Sequence, residues 1–172
     1  MDHHGNFVRY AVEVCKDLEV AISAASGKLV LARVTGSNSA DVVPELSQQV
    51  INVFGKSALF NAVRAVRILE HAADKVDLDR DARKAMLKSL KPFLKVRDAN
   101  EHGHDPKGRK VEIATTHHED IGVALDQVSM IVMGPEKILM GEVNLVDLYN
   151  TFRSALDHLR AREGLEGWQP VI

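Results

Sequence analysis

The sequence predicts an all-α fold, a bundle of about four main helices with a small β-hairpin insertion. Apolar residues recur every three or four positions through most of the 172-residue chain, which is the spacing of amphipathic helices. Aromatic residues make up only 5% of the chain, so the core must be mostly aliphatic, as in packed helices. A chain of this length can bury a core of its own, and we expect one domain over residues 1–172.

The first helical pattern runs from about residue 7 to about residue 34. Its apolar stripe consists of Phe7, Ala11, Val14, Leu18, Ala21, Ala25, Leu29 and Ala32. The single cysteine, Cys15, lies on this helix and can form no internal disulfide, so we expect a buried apolar residue rather than a nucleophile. Breaker residues at 35–39 lead to a short helix after Pro44, and Gly55 is expected to end or kink that helix.

A second strong helix is predicted to follow Ser57 as its N-cap. After a turn at residues 77–79, a third helix is predicted from about Arg80 to about Asn100, with a kink at Pro92. Four lysines share one side of this helix, where we expect a solvated face: Lys84, Lys88, Lys91 and Lys95. Three apolar residues lie nearly opposite: Met86, Leu90 and Phe93.

The helical signal lapses after the third helix, and residues 107–143 are interpreted as an insertion. Within it, residues 128–132 and 137–140 flank the turn sequence Gly134-Pro135-Glu136, which predicts a small hairpin packed on the bundle. Asn144 is then predicted to cap the final helix. The inward residues of that helix are Leu145, Leu148, Phe152, Leu156 and Leu159.

Composition and charge argue against several classes of protein. The 22 Lys and Arg residues against 24 Asp and Glu give a net charge of −2, so no global field favours nucleic acid, although a local basic face is still allowed. The N-terminus lacks the pattern of a signal peptide, and no stretch approaches the ~18 apolar residues of a membrane span. We therefore expect a cytoplasmic protein without a membrane partner. Phosphate-binding glycine loops and serine-hydrolase motifs are absent from the sequence.

The candidate chemistry lies at the end of the third helix. Arg97 continues the apolar row of that helix, and a charge placed there is costly unless it is paired or faces a groove. One interpretation is a buried ion pair with Asp98, Glu101 or an acid of another helix. The other is a guanidinium that holds a phosphate, with His102 nearby to move a proton. In an unbroken helix positions 97 and 102 point about 140° apart, so this second interpretation needs the helix to end near Gly103.

The run Arg97-Asp98-Ala99-Asn100-Glu101-His102 resembles the motif of the HEPN superfamily (higher eukaryotes and prokaryotes nucleotide-binding domain). The resemblance implies a small all-α domain of about four helices. In many members that domain is a metal-independent endoribonuclease whose dimer forms one site from two motifs. It implies Arg97 as the phosphate-holding residue, His102 as general acid or base, and Asp98 as the polar residue that orients them. We expect no cofactor, and we expect the protein to form a homodimer.

Three functions stay open at this point. The first is an endoribonuclease that cleaves RNA through attack of its 2′-hydroxyl, using Arg97 and His102. The second is a non-catalytic module of the same fold that binds RNA, a nucleotide or a protein partner. Three neighbouring residues are expected to contact the substrate: Asn100, Glu101 and His104. The third function is metal binding by His102, His104 and Asp105, although no HExxH or cysteine-containing zinc spacing is present.

Overall fold

A computed structural model describes residues 2–27, 39–102, 114–167 and 169; for residues 39–46 and residue 102 only the backbone is described. The four helices are α1 (His3–Ala25), α2 (Ser39–His71), α3 (Arg80–His102) and α4 (Leu145–Arg162), and a short 3-10 turn, Ala73–Lys75, joins α2 to α3. The predicted continuation of the first helix to residue 34 lies outside the described residues. No helix in the described ranges is both long and apolar enough to cross a bilayer.

The all-α prediction is wrong, because two small antiparallel sheets lie between α3 and α4. In the described part of the chain the strands are β1 (Thr115–His118), β2 (Val123–Asp126), β3 (Met130–Gly134), β4 (Lys137–Met140) and β5 (Val143–Asn144). β1 pairs with β2, and β3, β4 and β5 form the second sheet in that order. The protein is therefore a mixed α/β fold.

One of the two sheets follows from the sequence and the other does not. The predicted hairpin is confirmed as β3–β4, which pairs Met130 with Met140. The sequence predicts no strands at the positions of β1 and β2. These strands are four residues long and mostly exposed, so they show no clear alternation of apolar and polar side chains. Gly122 closes the turn between them with a φ of 66°, a conformation that favours glycine.

Helix α2 continues through Gly55, where the sequence predicts that a helix ends or kinks. Gly55 lies inside the helix, and a Cβ placed on it would lie 2.8 Å from Cδ1 of Leu145 in α4. Glycine is therefore needed here for close packing between helices rather than for a turn. The predicted helix end at Gly55 and the predicted N-cap at Ser57 are both wrong, since Ser57 lies in the middle of the same helix.

The core is formed by the facing sides of the helices and by the second sheet. Asn61 in α2 donates to Asp17 in α1 at 3.4 Å, and His3 lines the same groove as His71, so α1 and α2 run antiparallel. The largest fully buried side chains include Phe7, Leu18, Leu59, Leu69, Leu90, Ile138, Met140, Leu148 and Phe152. The predicted apolar stripes are thus largely confirmed, as are the exposed lysines of α3.

The β segment is part of this core rather than an appendage to it. Asn144 caps α4 as predicted, because its Oδ1 accepts a hydrogen bond from the backbone N–H of Val146 at 3.2 Å. The same oxygen accepts from the N–H of Ile138 at 3.1 Å, and its Nδ2 donates to the carbonyl of Glu136 at 3.1 Å. One side chain therefore joins the start of α4 to the β3–β4 hairpin.

Candidate functional site

Arg97 lies near the C-terminal end of α3, and its side chain is only 13% exposed. Its Nη1 donates to Oδ1 of Asp98 at 2.8 Å, and its Nη2 lies 2.5 Å from Oε2 of Glu101. Both acids belong to the same helix as the arginine. The ion-pair interpretation of Arg97 is therefore realised in the structure. Any phosphate that approaches this guanidinium must compete with two carboxylates.

Arg97 lines a small cavity of about 130 Å³ between α2 and α3, which we call the Arg97 cleft. Its lining residues are Lys56, Leu59, Phe60, Arg97, Asn100 and Glu101. The guanidinium carbon of Arg97 lies 5.9 Å from the centre of the Phe60 ring, within the range of a cation–π contact. Lys56 brings a second cation from the opposite wall. Counting Asp98 beside it, the cleft has two cations and two anions and is close to neutral.

The Nε of Arg97 is buried and has no hydrogen-bond partner among the described residues. A buried donor without a partner costs about 1–3 kcal/mol. The two carboxylates therefore satisfy the ends of the guanidinium and leave its Nε edge unbonded.

Asn100, predicted to contact the substrate, is mainly an anchor for the end of α3. Its Nδ2 lies 2.9 Å from the carbonyl of Val96 and 3.0 Å from the carbonyl of Gln127, and it also approaches Sδ of Met140 at 3.7 Å. These contacts fix α3 to the β segment. Asn100 also lines the Arg97 cleft, so its position determines the shape of that cleft.

His102 is the last residue of α3, so the helix is not broken between Arg97 and His102. Helix geometry therefore places positions 97 and 102 about 140° apart around the axis. The side chain of His102 lies outside the described part of the chain, as do His104 and Asp105 entirely. Of the six predicted site residues, the structure brings together Arg97, Asp98, Asn100 and Glu101 around one cleft.

The metal interpretation gains no support from the described residues. No group of three His, Cys, Asp or Glu side chains within residues 2–27, 47–101 and 114–167 lies close enough together to hold an ion. His118 is half-buried on β1, and its Nε2 lies 2.8 Å from the carbonyl oxygen of Gly141. His117, next to it, is exposed.

Cys15 is buried, as the sequence predicts, and its surroundings suppress its reactivity. Burial first, and then the nearby Glu19 carboxylate, raise the pKa of its thiol to about 12. The pKa of Tyr149 is also raised to about 12, again by burial and then by Glu19, which accepts a hydrogen bond from the Tyr149 hydroxyl at 3.2 Å. Neither group is a nucleophile at neutral pH.

A row of alternating arginines and aromatic rings crosses α1, α2 and α3, and the sequence analysis did not find it. The guanidinium carbon of Arg9 lies 4.8 Å from the centre of the Tyr10 ring. That of Arg64 lies 5.5 Å from the Tyr10 ring and 4.2 Å from the Phe60 ring. Arg97, whose guanidinium carbon lies 5.9 Å from the same Phe60 ring, completes the order Arg9, Tyr10, Arg64, Phe60, Arg97. We call these five residues the arginine–aromatic row.

The α1 end of this row lines a second cavity, of about 410 Å³, between the first turns of α1 and the last turns of α2. We call it the α1–α2 groove, and it is lined by His3, Asn6, Arg9, Tyr10, Arg64, Arg67, Ile68, His71 and Ala72. In contrast to Arg97, none of its three arginines forms an ion pair with a carboxylate of the described ranges. The groove is therefore basic.

Part of this row could have been found in the sequence. Phe60 and Arg64 are four residues apart, and Arg64 and Arg67 are three apart, so all three share one face of a helix. Helical spacing could not predict that Arg9 and Tyr10 belong to the same row. It depends on the antiparallel packing of the start of α1 against the end of α2, and helical periodicity says nothing about which helix ends meet.

In comparison with known proteins, no family model, no curated protein and no solved structure matches the chain. The relationship to the HEPN superfamily accordingly stays a prediction from its motif.

Proposed function

We propose that this protein is an RNA-binding module that holds an RNA phosphate in the Arg97 cleft. The observation that carries the proposal is the placement of Arg97, which lies opposite Lys56 and against the ring of Phe60. Two cations on separate helices can contact one phosphate from two sides, and a guanidinium can do so with two hydrogen bonds. The aromatic ring offers a surface for the attached base.

The carboxylates beside Arg97 compete with a phosphate for the guanidinium but do not prevent it from binding. Glu101 is 32% exposed and Asp98 is 53% exposed, so both side chains can move into solvent. Both acids pair with a guanidinium that is only 13% exposed, so a phosphate binds there by competing with them for Arg97.

The geometry supports binding better than cleavage within one copy of the chain. Attack by a 2′-hydroxyl needs a proton acceptor beside the bound phosphate. The helix carries position 102 to the side away from Arg97, by about 140°.

Cleavage in a homodimer is the second candidate, in which Arg97 of one copy and His102 of another share a site, as the HEPN resemblance implies. It is favoured by two exposed apolar residues on α2 beside the cleft, Val53 at 64% and Phe60 at 40%, which a second copy would cover.

The test is fluorescence anisotropy of a labelled oligouridine in excess chelator, with gel analysis of the same samples. We expect wild-type protein to bind without cutting, Arg97→Gln to bind at least about fivefold more weakly, and His102→Ala to bind as wild type. Arg153→Gln is the matched control, because it removes one arginine charge from α4, where Arg153 is half-exposed and pairs with Asp157.

Three results would contradict the proposal. The first is wild-type affinity in Arg97→Gln, and the second is no binding by the wild type at any concentration at which the protein stays monodisperse. The third is cleavage that survives chelation and is lost in His102→Ala, which would establish the dimeric nuclease instead.

A further inference from the structure

We infer that the α1–α2 groove continues the Arg97 cleft, and that the two together form one binding path for single-stranded RNA. Phosphates contact the arginines of the path, and an unpaired base packs against the exposed part of the Phe60 ring. The inference rests on the proposed function, which places one phosphate at Arg97, and it assigns the neighbouring nucleotides to a surface on α1 and α2.

The two cavities are continuous through Arg64. Arg64 lines the α1–α2 groove, and its guanidinium carbon lies 4.2 Å from the ring of Phe60, which lines the Arg97 cleft. Its other neighbour is the Tyr10 ring at 5.5 Å. From Lys56 to His71 the path follows α2 for fifteen residues, or about 22 Å. A path of this length spans several nucleotides rather than one.

The charges along the path favour a polyanion. Three of its arginines, Arg9, Arg64 and Arg67, have no carboxylate partner among the described residues. The chain as a whole has a net charge of −2, so this basic surface is a local departure from the rest of the molecule. A clustered set of unneutralised arginines is the electrostatic footprint of a nucleic-acid site.

The exposed part of the Phe60 ring favours a single strand. In a duplex the bases are stacked on each other and cannot reach an aromatic side chain, whereas unpaired bases can. Phe60 keeps 40% of its surface exposed and is therefore accessible to a base.

The experiment measures the affinity of the full chain for a labelled oligouridine of about twelve nucleotides, and for a duplex of the same length, over a range of salt concentrations. We expect the single strand to bind at least about tenfold more tightly than the duplex. Arg64→Gln and Arg67→Gln should each weaken single-strand binding about three- to tenfold. Each should also reduce the slope of log affinity against log salt by about 0.7, the value for one lost phosphate contact.

Arg153→Gln is again the matched control, since it changes the net charge by the same amount on α4 and should keep both affinity and slope. Circular dichroism of each variant checks that the helices are intact. If Arg64→Gln and Arg67→Gln keep the wild-type affinity and slope while Arg97→Gln weakens binding, the inference is wrong and the proposed function stands. If the two groove variants weaken binding and Arg97→Gln does not, the groove stands and the proposed role of Arg97 is wrong. Equal affinity for the duplex overturns the single-strand assignment.

Discussion

The Arg97 cleft and the α1–α2 groove contain the same kinds of side chain and differ in where their countercharges lie. In the cleft, Arg97 has acids one and four residues further along its own helix, and both pair with it. In the groove, Arg64 and Arg67 have no paired carboxylate in the described ranges. An arginine in a cavity is therefore available to a ligand only to the extent that its local sequence leaves it unpaired.

The two cavities also differ in what supports them. The wall of the Arg97 cleft depends on the β segment, because Asn100 bonds to the carbonyl of Gln127 and Gly141 packs close to Val96 of α3. The groove is built from α1 and α2 alone. Substitutions in the β segment should therefore disturb the cleft and spare the groove.

Gly141→Ala should have the largest effect, a loss of about 3 kcal/mol in the free energy of unfolding. Gly141 has a φ of 55°, which costs an alanine about 1 kcal/mol, and an added Cβ would lie 2.8 Å from the Cα of Gln127. Gly122→Ala is the matched control, with a φ of 66° and no atom within 4 Å of the added Cβ. Urea denaturation of both variants measures the difference. Equal losses would show that the β segment does not hold the end of α3.

Asn100→Ala should reduce stability by about 2 kcal/mol, since it leaves the Gln127 carbonyl without its partner in a half-buried position. In a protein of this size that corresponds to about 4–8 °C in Tm. Asn52→Ala is a suitable control, because Asn52 is a half-exposed residue of α2. An equal decrease in Tm for Asn52→Ala would show that Asn100 does not anchor the end of α3.

Arg97→Ala should cost about 1.5 kcal/mol of stability, because its guanidinium makes two charge-assisted contacts with Asp98 and Glu101. Arg67→Ala, in the groove, should change stability by no more than about 0.5 kcal/mol, since its charge is unpaired in the described structure. Thermal unfolding of the two variants compares the cavities directly. A larger loss of stability for Arg67→Ala than for Arg97→Ala would show that the unpaired arginine contributes more to stability than the paired one.

Glu101→Gln should have the smallest effect and the opposite sign, raising the affinity for oligouridine about threefold. The substitution removes the carboxylate that lies 2.5 Å from Nη2 of Arg97 and so leaves the arginine more available to phosphate. Anisotropy titration at low salt, where charge effects are largest, measures the change. Glu163→Gln, which changes an exposed acid at the end of α4, is the charge-matched control. Weaker binding by Glu101→Gln would show that Glu101 itself contacts the ligand.

The helices could be predicted from the sequence because their apolar stripes repeat over many turns. The apolar stripe residues between Phe7 and Ala21, between Met86 and Phe93 and between Leu145 and Leu159 are buried as expected. The errors arose where one residue type has two uses. Gly55 is a breaker in isolation, but in the protein it admits the side chain of Leu145 from α4, a contact between residues far apart in the chain.

The candidate site was predictable only where it depends on neighbours along one helix. The ion pairs of Arg97 follow from neighbours one and four residues away, so the sequence contained that interpretation in full. The arginine–aromatic row did not follow, because Tyr10 and Arg64 come from two helices whose packing only the fold determines. The β1–β2 hairpin was also missed, since its four-residue strands are too short to show a period.

The bonds of Asn144 have a consequence for the order in which the chain acquires its structure. During synthesis residues 130–140 leave the ribosome before α4 does, so Glu136 and Ile138 are made before the helix that their partner Asn144 caps. The start of the last helix therefore depends on two residues of a hairpin that precedes it in the chain. Excising residues 130–140 to make a minimal helical protein would release that side chain, and the last helix would lose its starting point along with the hairpin.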